Sequence, residues 1–383
     1  MRILFTGGGT GGHIYPILAV AEELQILASQ KNINLDLRYF GAYGSYQYLL
    51  ASNGILVSKI ISAKWRRYFD LKNFLDIPKF FLSFIQAMWK IFWFMPDVLF
   101  SKGGPGSLPV VMASRFYRIP VMIHDSDAVI GLANKIAARY ASRIGISFES
   151  AAGIFGQKPK LLKKVALVGN PVRRSLLLGS ILEQGTAKRV FGFDQTKKLV
   201  MILGGSQGSA KLNEFFFSIA LELMKDYQIL HQVGVGNFEE MKKELNLLLK
   251  NYSEEEKSAY KIAPYFDKDL KDAYCAADLV ISRASSGAIF EISAFGKPAI
   301  LIPLPEEIVG PHQILNAYEY AKTGAATIIE ESNLKAGIFI NQLNKIFNDQ
   351  LLFKSMSESA KKFFKPDAAK IISEEIIRLG SKG

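Results

Sequence analysis

The sequence contains little of what several classes of protein require. One cysteine, Cys275, and four histidines stand among its 383 residues. A single thiol excludes a disulfide framework and a zinc site built on several cysteines, and it fits a reducing compartment. With so few histidines, a histidine-rich metal centre is not expected either.

Long uninterrupted apolar runs are also missing. The most apolar region, residues 74–95, is broken by one aspartate, one proline and two lysines, so no uncharged stretch of ~18 or more residues occurs there. We therefore expect no membrane-crossing helix in this region. Residues 1–5 predict a short buried strand rather than a signal peptide, because they lack a long apolar core and a cleavage site.

Apolar residues and positive charge are abundant instead. Hydrophobic residues make up 49% of the chain, and its length exceeds what one hydrophobic core usually supports. The formal net charge is +12, from 47 lysines and arginines against 35 aspartates and glutamates. Such a surplus favours a polyanionic partner, which leaves nucleic acid, an anionic membrane and a phosphate-bearing substrate open.

Short apolar runs alternate with helical patterns, which predicts α/β domains with parallel sheets covered on both faces. The pattern restarts after Asn170-Pro171, so we expect two doubly wound, Rossmann-like domains that face each other across a cleft. The first covers residues 1–170 and is joined by a final helix in 366–383; the second covers 171–365. Strands are predicted at 3–5, 35–40, 98–101, 121–123 and 143–146, and at 199–203, 229–233, 260–263, 279–281, 299–302 and 325–329.

The first glycine loop follows the opening strand, with the sequence Thr6-Gly7-Gly8-Gly9-Thr10-Gly11-Gly12-His13. Glycines at G-x-G-x-x-G spacing let backbone N–H groups approach phosphate oxygens, and the helix behind them adds a favourable dipole. A dinucleotide-dependent dehydrogenase shares this motif, but it usually carries an acid at the end of its second strand to hold a ribose. Here that strand ends Tyr39-Phe40-Gly41, which argues against a dehydrogenase.

Two further glycine loops stand behind predicted strands. Gly204-Gly205-Ser206-Gln207-Gly208 opens the second domain, and Lys102-Gly103-Gly104-Pro105-Gly106-Ser107 places a cation beside a backbone nest. Loops of this kind at the carboxyl ends of strands suit two substrates that each carry phosphate.

Four motifs in order resemble the MurG family of GT-B glycosyltransferases: Thr6–His13, Gly169-Asn170-Pro171-Val172-Arg173, Gly204–Gly208 and His312-Gln313-Ile314-Leu315-Asn316-Ala317. That family moves N-acetylglucosamine from UDP-GlcNAc to the 4-hydroxyl of MurNAc in undecaprenyl-pyrophosphoryl-MurNAc-pentapeptide. The resemblance implies an inverting enzyme of peptidoglycan precursor synthesis, peripheral at the cytoplasmic face of the cell membrane, with neither a cofactor nor an obligatory metal.

The resemblance also implies roles for the residues at matching positions. Arg173 and Ser206 would meet the donor diphosphate, and Glu291 would accept hydrogen bonds from ribose hydroxyls. At Asp127 this chain departs from the family's usual asparagine, and an ionised carboxylate cannot donate a hydrogen bond. The implied donor-binding residues are Thr10, Gly11, Gly12, Asp127, Arg173, Ser206, Gln207, Phe266, Asp267, Ser286, Gly287, Ala288, Ile289, Glu291 and Gln313, and the implied acceptor-binding residues are Lys102, Gly103 and Gly104.

An inverting transfer needs a base on the acceptor hydroxyl and stabilisation of the departing UDP. His13 is the first candidate base, since an unperturbed imidazole pKa of ~6.5 suits neutral pH; binding the acceptor pyrophosphate or capping the helix are its alternatives. His124 and Asp125 are the second candidates, and we expect them at the cleft rim because they follow a predicted strand.

Two tripeptides have the D-x-D spacing that binds divalent metal in another transferase fold: Asp125-Ser126-Asp127 and Asp267-Lys268-Asp269. Such tripeptides are common by chance. Helix dipoles together with Arg173 and Ser206 can stabilise a leaving diphosphate instead, so no metal is expected.

Residues 64–95 interleave aromatic and cationic side chains and include all three tryptophans, Trp65, Trp89 and Trp93. This composition suits an interfacial segment on an anionic membrane, although part of 80–95 must also form core. Stacking on nucleic-acid bases would use similar residues, but no nucleic-acid-binding motif accompanies them. The expected partners are therefore UDP-GlcNAc, the lipid-linked acceptor, an anionic membrane surface and other cell-wall synthesis proteins, and not nucleic acid.

Two other functions remain open at this point. Another GT-B enzyme, such as a glycolipid synthase or a UDP-GlcNAc 2-epimerase, would share the motifs, but an epimerase needs no lipid-facing region. A membrane-docking or nucleic-acid-binding module with a degenerate nucleotide fold would not bind UDP-GlcNAc.

Overall fold

The computed structural model describes residues 1–61, 72–104, 106–155, 159–205 and 208–381, and for residues 72–77 it describes the backbone alone. Contacts divide the chain into two compact units. The first unit comprises Met1–Arg174 and Lys365–Gly383, and the second comprises Ser175–Phe364. The first part of the predicted interfacial segment, residues 64–71, lies outside the described residues, as do Ser206 and Gln207.

The first unit is built on a parallel sheet with the strand order β3-β2-β1-β4-β5-β6-β7. The second unit is built on a parallel sheet with the order β10-β9-β8-β11-β12-β13. The strands are β1 (Arg2–Thr6), β2 (Asp36–Gly41), β3 (Ile55–Lys59), β4 (Val98–Ser101), β5 (Val121–Asp125), β6 (Arg143–Ile146), β7 (Val165–Leu167), β8 (Lys198–Leu203), β9 (Tyr227–Gln232), β10 (Tyr260–Ala263), β11 (Leu279–Ser282), β12 (Ala299–Leu301) and β13 (Ala326–Ile328).

Helices connect these strands, as right-handed parallel crossovers require. The helices are α1 (Gly11–Gln30), α2 (Gln47–Ser52), α3 (Lys72–Phe94), α4 (Ser107–Phe116), α5 (Leu132–Ala137), α6 (Pro159–Leu162), α7 (Arg174–Leu177), α8 (Gln184–Val190), α9 (Ala210–Ser218), α10 (Ala220–Leu223), α11 (Phe238–Leu248), α12 (Glu254–Lys257), α13 (Leu270–Ala276), α14 (Ser286–Ala294), α15 (Glu306–Val309), α16 (His312–Ala321), α17 (Ala336–Asn348), α18 (Gln350–Phe363) and α19 (Ala368–Gly380). Among the described residues, no helix combines the length and apolar character needed to cross a membrane.

Strand β1 shows how the first sheet is covered on both faces. Ile3 and Phe5 join one buried apolar cluster, whereas Leu4 between them joins the cluster on the opposite face. Successive side chains of a strand point to opposite faces, so an unbroken apolar strand needs a core on each side. Helix α19 completes the first of these cores, and the hydroxyl of Ser373 donates to the carbonyl oxygen of Val20 in α1 at 3.1 Å.

The predicted fold of two Rossmann-like α/β domains is confirmed, and β4, β6 and β10 have the predicted limits. Strands β3 and β7 were not predicted. Both lie at the edges of the first sheet and are partly exposed, and their apolar runs are only three or four residues long.

Candidate active site

The first glycine loop lies between β1 and α1 and ends at His13, whose ring is half-buried. Nδ1 of His13 lies 2.9 Å from Oγ1 of Thr10. A Cβ on Gly8 would stand 2.9 Å from Nδ1, and one on Gly104 would stand 2.8 Å from Nε2. The imidazole therefore lies between two glycines, and a side chain at either glycine would clash with it.

The charge state of His13 is set by its surroundings. Burial, together with the positive charge of Lys102, lowers the pKa of His13 to about 4, although the carboxylate of Asp127 acts in the opposite direction. His13 is therefore uncharged at neutral pH and has a ring nitrogen that can accept a proton. If Nδ1–H donates to Thr10, that nitrogen is Nε2.

Thr10, Gly11 and Gly12 form the start of α1. Thr10 and Gly12 are exposed, and a Cβ on Gly12 would meet no atom within 4 Å. The first turn of the helix therefore has open space beside Gly12, which an anion site at a helix N-terminus needs.

Tyr39 occupies the end of the second strand, where a dehydrogenase would carry an acid. Its side chain is fully buried, and its hydroxyl lies 2.8 Å from the carbonyl oxygen of Gly7 and 2.6 Å from that of Ala42. The phenol thus fastens the glycine loop to the chain that leaves β2. The sequence showed the missing acid but not this role.

Lys102, which follows β4, is buried rather than directed to solvent, with 3% of its surface exposed. Its Nζ lies 2.6 Å from Nδ1 of His124 and donates to Oγ of Ser126. The acceptor-binding role that the resemblance implied for Lys102 stays a prediction, and the side chain contacts these two neighbours rather than solvent. Gly103 and Gly104 have positive φ, +75° and +84°, so their backbone groups form the turn beside His13.

His124 and Asp125, at the end of β5, were expected at the rim of a cleft, and the burial of both side chains contradicts that position. His124 is fully buried and Asp125 is 5% exposed. Nε2 of His124 lies 2.9 Å from the carbonyl oxygen of Gly169, and Nδ1 faces Lys102. Burial lowers the pKa of His124 well below its usual value, so the ring is neutral and both nitrogens have partners.

The carboxylate of Asp125 organises the loop that follows β5. It accepts hydrogen bonds from the backbone N–H groups of Asp127 at 3.1 Å and Gly131 at 3.0 Å, and from the amide of Asn134 at 3.0 Å. Burial is the largest influence on the pKa of Asp125 and raises it. Asp125 therefore holds the loop that carries the half-buried Asp127.

Arg173 belongs to the first unit and is half-buried. Its guanidinium carbon lies 4.4 Å from the centre of the Tyr15 ring, which belongs to α1. A guanidinium over an aromatic face is attracted electrostatically by the ring, so Tyr15 helps to hold Arg173 in place.

In the second unit, Gln232 at the end of β9 connects two segments that the resemblance assigned to the donor. Its Nε2 donates to the carbonyl oxygen of Gly205 at 2.9 Å, and its Oε1 accepts from the N–H of Phe266 at 3.0 Å. Phe266 has a buried ring and an occupied N–H, so only its carbonyl oxygen could meet a base. Asp267 is exposed, and its N–H donates to Asp269 at 3.0 Å.

Helix α14 starts behind β11 and carries five of the implied donor-binding residues. Oγ of Ser285 accepts from the N–H of Ala288 at 3.4 Å, which caps the helix. The side chain of Ile289 is fully buried, so a contact with a ligand can come only from its backbone. Ser286 is also buried, whereas Gly287 and Ala288 are half-buried.

Glu291 and Gln313 are each oriented by a neighbour. Oε2 of the half-buried Glu291 accepts from the hydroxyl of Tyr274 at 3.2 Å, and the Tyr274 ring stacks on Phe295 with centroids 4.8 Å apart. Oε1 of Gln313 accepts from the N–H of Leu304 at 3.1 Å, so Nε2 is the atom with which Gln313 would donate to a sugar.

Known proteins resemble this chain along most of its length. The glycosyltransferase family 28 N-terminal domain matches residues 3–146, and the family 28 C-terminal domain matches residues 199–372. A relative from Bacillus cereus named "UDP-N-acetylglucosamine--N-acetylmuramyl-(pentapeptide) pyrophosphoryl-undecaprenol N-acetylglucosamine transferase 2" is 38% identical over 98% of this chain and 99% of its own. A Clostridium botulinum protein, whose name is the same but without the final numeral, is 37% identical over 94% of each chain.

Solved structures agree with these relatives. The crystal structure of Acinetobacter baumannii MurG has a TM-score of 0.72, with 25% identity over 98% of this chain and 99% of that one. A UDP-GlcNAc 2-epimerase from Neisseria meningitidis, bound to UDP-GlcNAc, has a TM-score of 0.68 over 99% and 100% of the two chains, but at 14% identity it shares the fold alone. The chain therefore belongs to glycosyltransferase family 28 and, within it, to the MurG family of N-acetylglucosaminyltransferases.

Proposed function

We propose that this protein transfers N-acetylglucosamine from UDP-GlcNAc to the 4-hydroxyl of MurNAc in undecaprenyl-pyrophosphoryl-MurNAc-pentapeptide, with inversion at the anomeric carbon. The observation that carries the proposal is the 38% identity to a transferase of that name over nearly the whole of both chains. The geometry of the two units supports different roles for them in the reaction.

In the first unit, His13 is the proposed general base. The acceptor 4-hydroxyl attacks the anomeric carbon of the donor while its proton passes to Nε2 of His13. The bond between that carbon and the diphosphate breaks, and its electron pair leaves with UDP. Thr10 supports this step because its hydroxyl, 2.9 Å from Nδ1, can hold the ring in the tautomer whose Nε2 carries a lone pair.

The turn at Gly103 and Gly104 is the proposed cradle for acceptor phosphate, beside His13. Arg173, Ser206 and Gln207 are proposed on the donor diphosphate, together with the N-terminal turn of α1 at Thr10, Gly11 and Gly12. Asp127 can serve there only as an acceptor of hydrogen bonds while it is ionised. Positive groups and helix N-termini stabilise the negative charge that develops on departing UDP.

In the second unit, the proposed donor contacts are mainly backbone groups. The helix start at Ser286, Gly287, Ala288 and Ile289 offers N–H groups, and Glu291 accepts from ribose hydroxyls. Phe266 offers its carbonyl to uracil beside Asp267, and Gln313 offers its amide nitrogen to the sugar.

Helix α3 supports a location on a membrane, where a lipid-linked acceptor resides. Its side chains at Phe81, Ile85, Trp89 and Trp93 are 62%, 63%, 66% and 69% exposed. The residues it buries include the small Ser83 and Ala87 together with Ile91, so the exposed face is the more aromatic one.

A surface helix normally shows the opposite pattern, with polar residues facing water. We therefore propose that the exposed aromatic face of α3 enters the interface of an anionic membrane, with the net positive charge of +12 adding to the attraction. The site of action would be the cytoplasmic face of the cell membrane, where cell-wall synthesis proteins are the expected partners.

The test is incubation of the purified protein with labelled UDP-GlcNAc and the lipid-linked MurNAc acceptor, with and without EDTA. We expect label in the lipid product at equal rates in both arms, and no change in UDP-GlcNAc when the acceptor is omitted. A folded protein that transfers nothing would exclude the proposal. Formation of an epimeric nucleotide sugar without acceptor would identify a 2-epimerase instead.

A further inference from the structure

The side chain of Lys102 is the centre of a buried hydrogen-bond network in the first unit. Its ammonium group is in contact with Nδ1 of His124 and Oγ of Ser126, and only 3% of the residue is exposed. A buried ammonium is costly unless it is hydrogen-bonded, so the fold at this point depends on both acceptors.

The two acceptors, His124 and Ser126, are in turn hydrogen-bonded to one short segment, Gly169-Asn170. Because Nδ1 of His124 accepts from Lys102, the ring proton lies on Nε2, which then donates to the carbonyl oxygen of Gly169 at 2.9 Å. Oγ of Ser126 donates to Oδ1 of Asn170 at 2.8 Å. One ammonium group is thus connected by two routes to two consecutive residues.

This segment leads directly to Arg173. Gly169 has φ +83°, and Asn170 is 2% exposed, so the chain turns here in a conformation that glycine favours and the network fixes. Three residues later the guanidinium of Arg173 lies over the ring of Tyr15. Arg173 is therefore held by Tyr15 at its side chain and, through the backbone, by the network around Lys102.

We propose that Lys102 is a positioning residue, which acts through His124 and Ser126 to fix the segment 169–173 and so the direction in which Arg173 meets a diphosphate. The inference rests on the proposed function, in which that diphosphate belongs to the nucleotide-sugar donor. It replaces the role in acceptor binding that the resemblance implied for the Lys102 side chain.

The test compares Lys102→Met, Ser126→Ala and the double variant, with Lys135→Met as the matched control because Lys135 is exposed on α5 of the same unit. The dissociation constant of UDP is measured by calorimetry without acceptor, and kcat and both KM values are measured in the transfer assay. We expect Lys102→Met to weaken UDP binding and raise the donor KM by about ten-fold or more, the effect of a lost charged hydrogen bond. The acceptor KM stays unchanged, and Lys135→Met behaves like the wild type.

The double variant distinguishes a shared route from independent packing effects. Because Lys102 reaches Asn170 through Ser126, both substitutions act on the same route, and we expect the loss in the double variant to be smaller than the sum of the two single losses. Additive losses would overturn the proposal, and so would a raised acceptor KM with an unchanged donor KM.

Ser126→Ala keeps the inference testable if Lys102→Met does not fold, since it breaks one route and leaves the charge in place. A wild-type donor KM and UDP affinity in that variant would overturn the proposal. Failure of the wild type to transfer sugar would instead exclude the proposed function, while the comparison of UDP affinities would still be decisive for Lys102.

Discussion

The two units hold their candidate site residues in different ways. In the first unit, titratable side chains with displaced pKa values stand together: His13 at about 4, Lys102 at about 7 and the buried His124 and Asp125. In the second unit, the candidate residues are backbone groups at the start of α14 and side chains oriented by neutral partners, such as Gln232. This difference supports the proposal that proton transfer belongs to the first unit and that the second unit binds the nucleoside part of the donor.

The largest effect is expected at His13. His13→Ala should lower kcat by about 10²- to 10⁴-fold, because it removes the group that accepts the proton in the transition state, and the donor KM should change little. Steady-state kinetics with both substrates measure this. A near-normal kcat would show that another residue is the base. A dominant effect on the donor KM would contradict the proposed difference between the roles of the two units.

Glu291 tests the proposed role of the second unit in donor recognition. Glu291→Gln should raise the donor KM by about 10- to 100-fold, because a charged acceptor of ribose hydroxyls becomes a neutral one, while kcat falls less. Glu254→Gln is the control, since Glu254 is an exposed glutamate of the same unit. If Glu291→Gln affected kcat alone, the assignment of donor recognition to this residue would be wrong.

Substitutions on the exposed face of α3 should change membrane binding and leave the affinity for UDP unchanged. Replacement of Trp89 and Trp93 by serine should weaken sedimentation with anionic phospholipid vesicles by about ten-fold, because it removes two large apolar groups from the bilayer interface. Leu351→Ser is the control, since Leu351 is an 83% exposed apolar residue on α18 of the second unit. Unchanged vesicle binding would show that α3 does not dock, and a lost affinity for UDP would show that the substitutions act on the fold.

The smallest effect concerns acid pH. The pKa of His13 is lowered to about 4, so the base stays unprotonated above that value, and its contribution to kcat is lost only as the pH falls through 4. We therefore expect little change in kcat between pH 7 and pH 5.5. A kcat that halves near pH 6.5 would indicate a histidine base whose pKa is not lowered by burial and by Lys102.

Much of the fold followed from the sequence because the central strands are continuous apolar runs. Strands β3 and β7, at the edges of the first sheet, were missed because their apolar runs are short and no glycine loop follows them. The position of His13 at the end of a glycine loop was also predictable, since that loop has a local signature. The roles of Tyr39 and Gln232 were not, because each depends on contacts between residues distant in sequence. For the same reason, the burial of His124 and Asp125 and their contacts with Gly169 and Gly131 could not be predicted from the sequence.

The most direct test of the account is the anomeric configuration of the transferred sugar, measured by proton NMR on product formed from UDP-GlcNAc and the lipid-linked MurNAc acceptor. We predict a β-linkage to the 4-hydroxyl, formed by the wild type and nearly absent with His13→Ala. An α-linked product, or an epimerised nucleotide sugar with no disaccharide, would contradict the account.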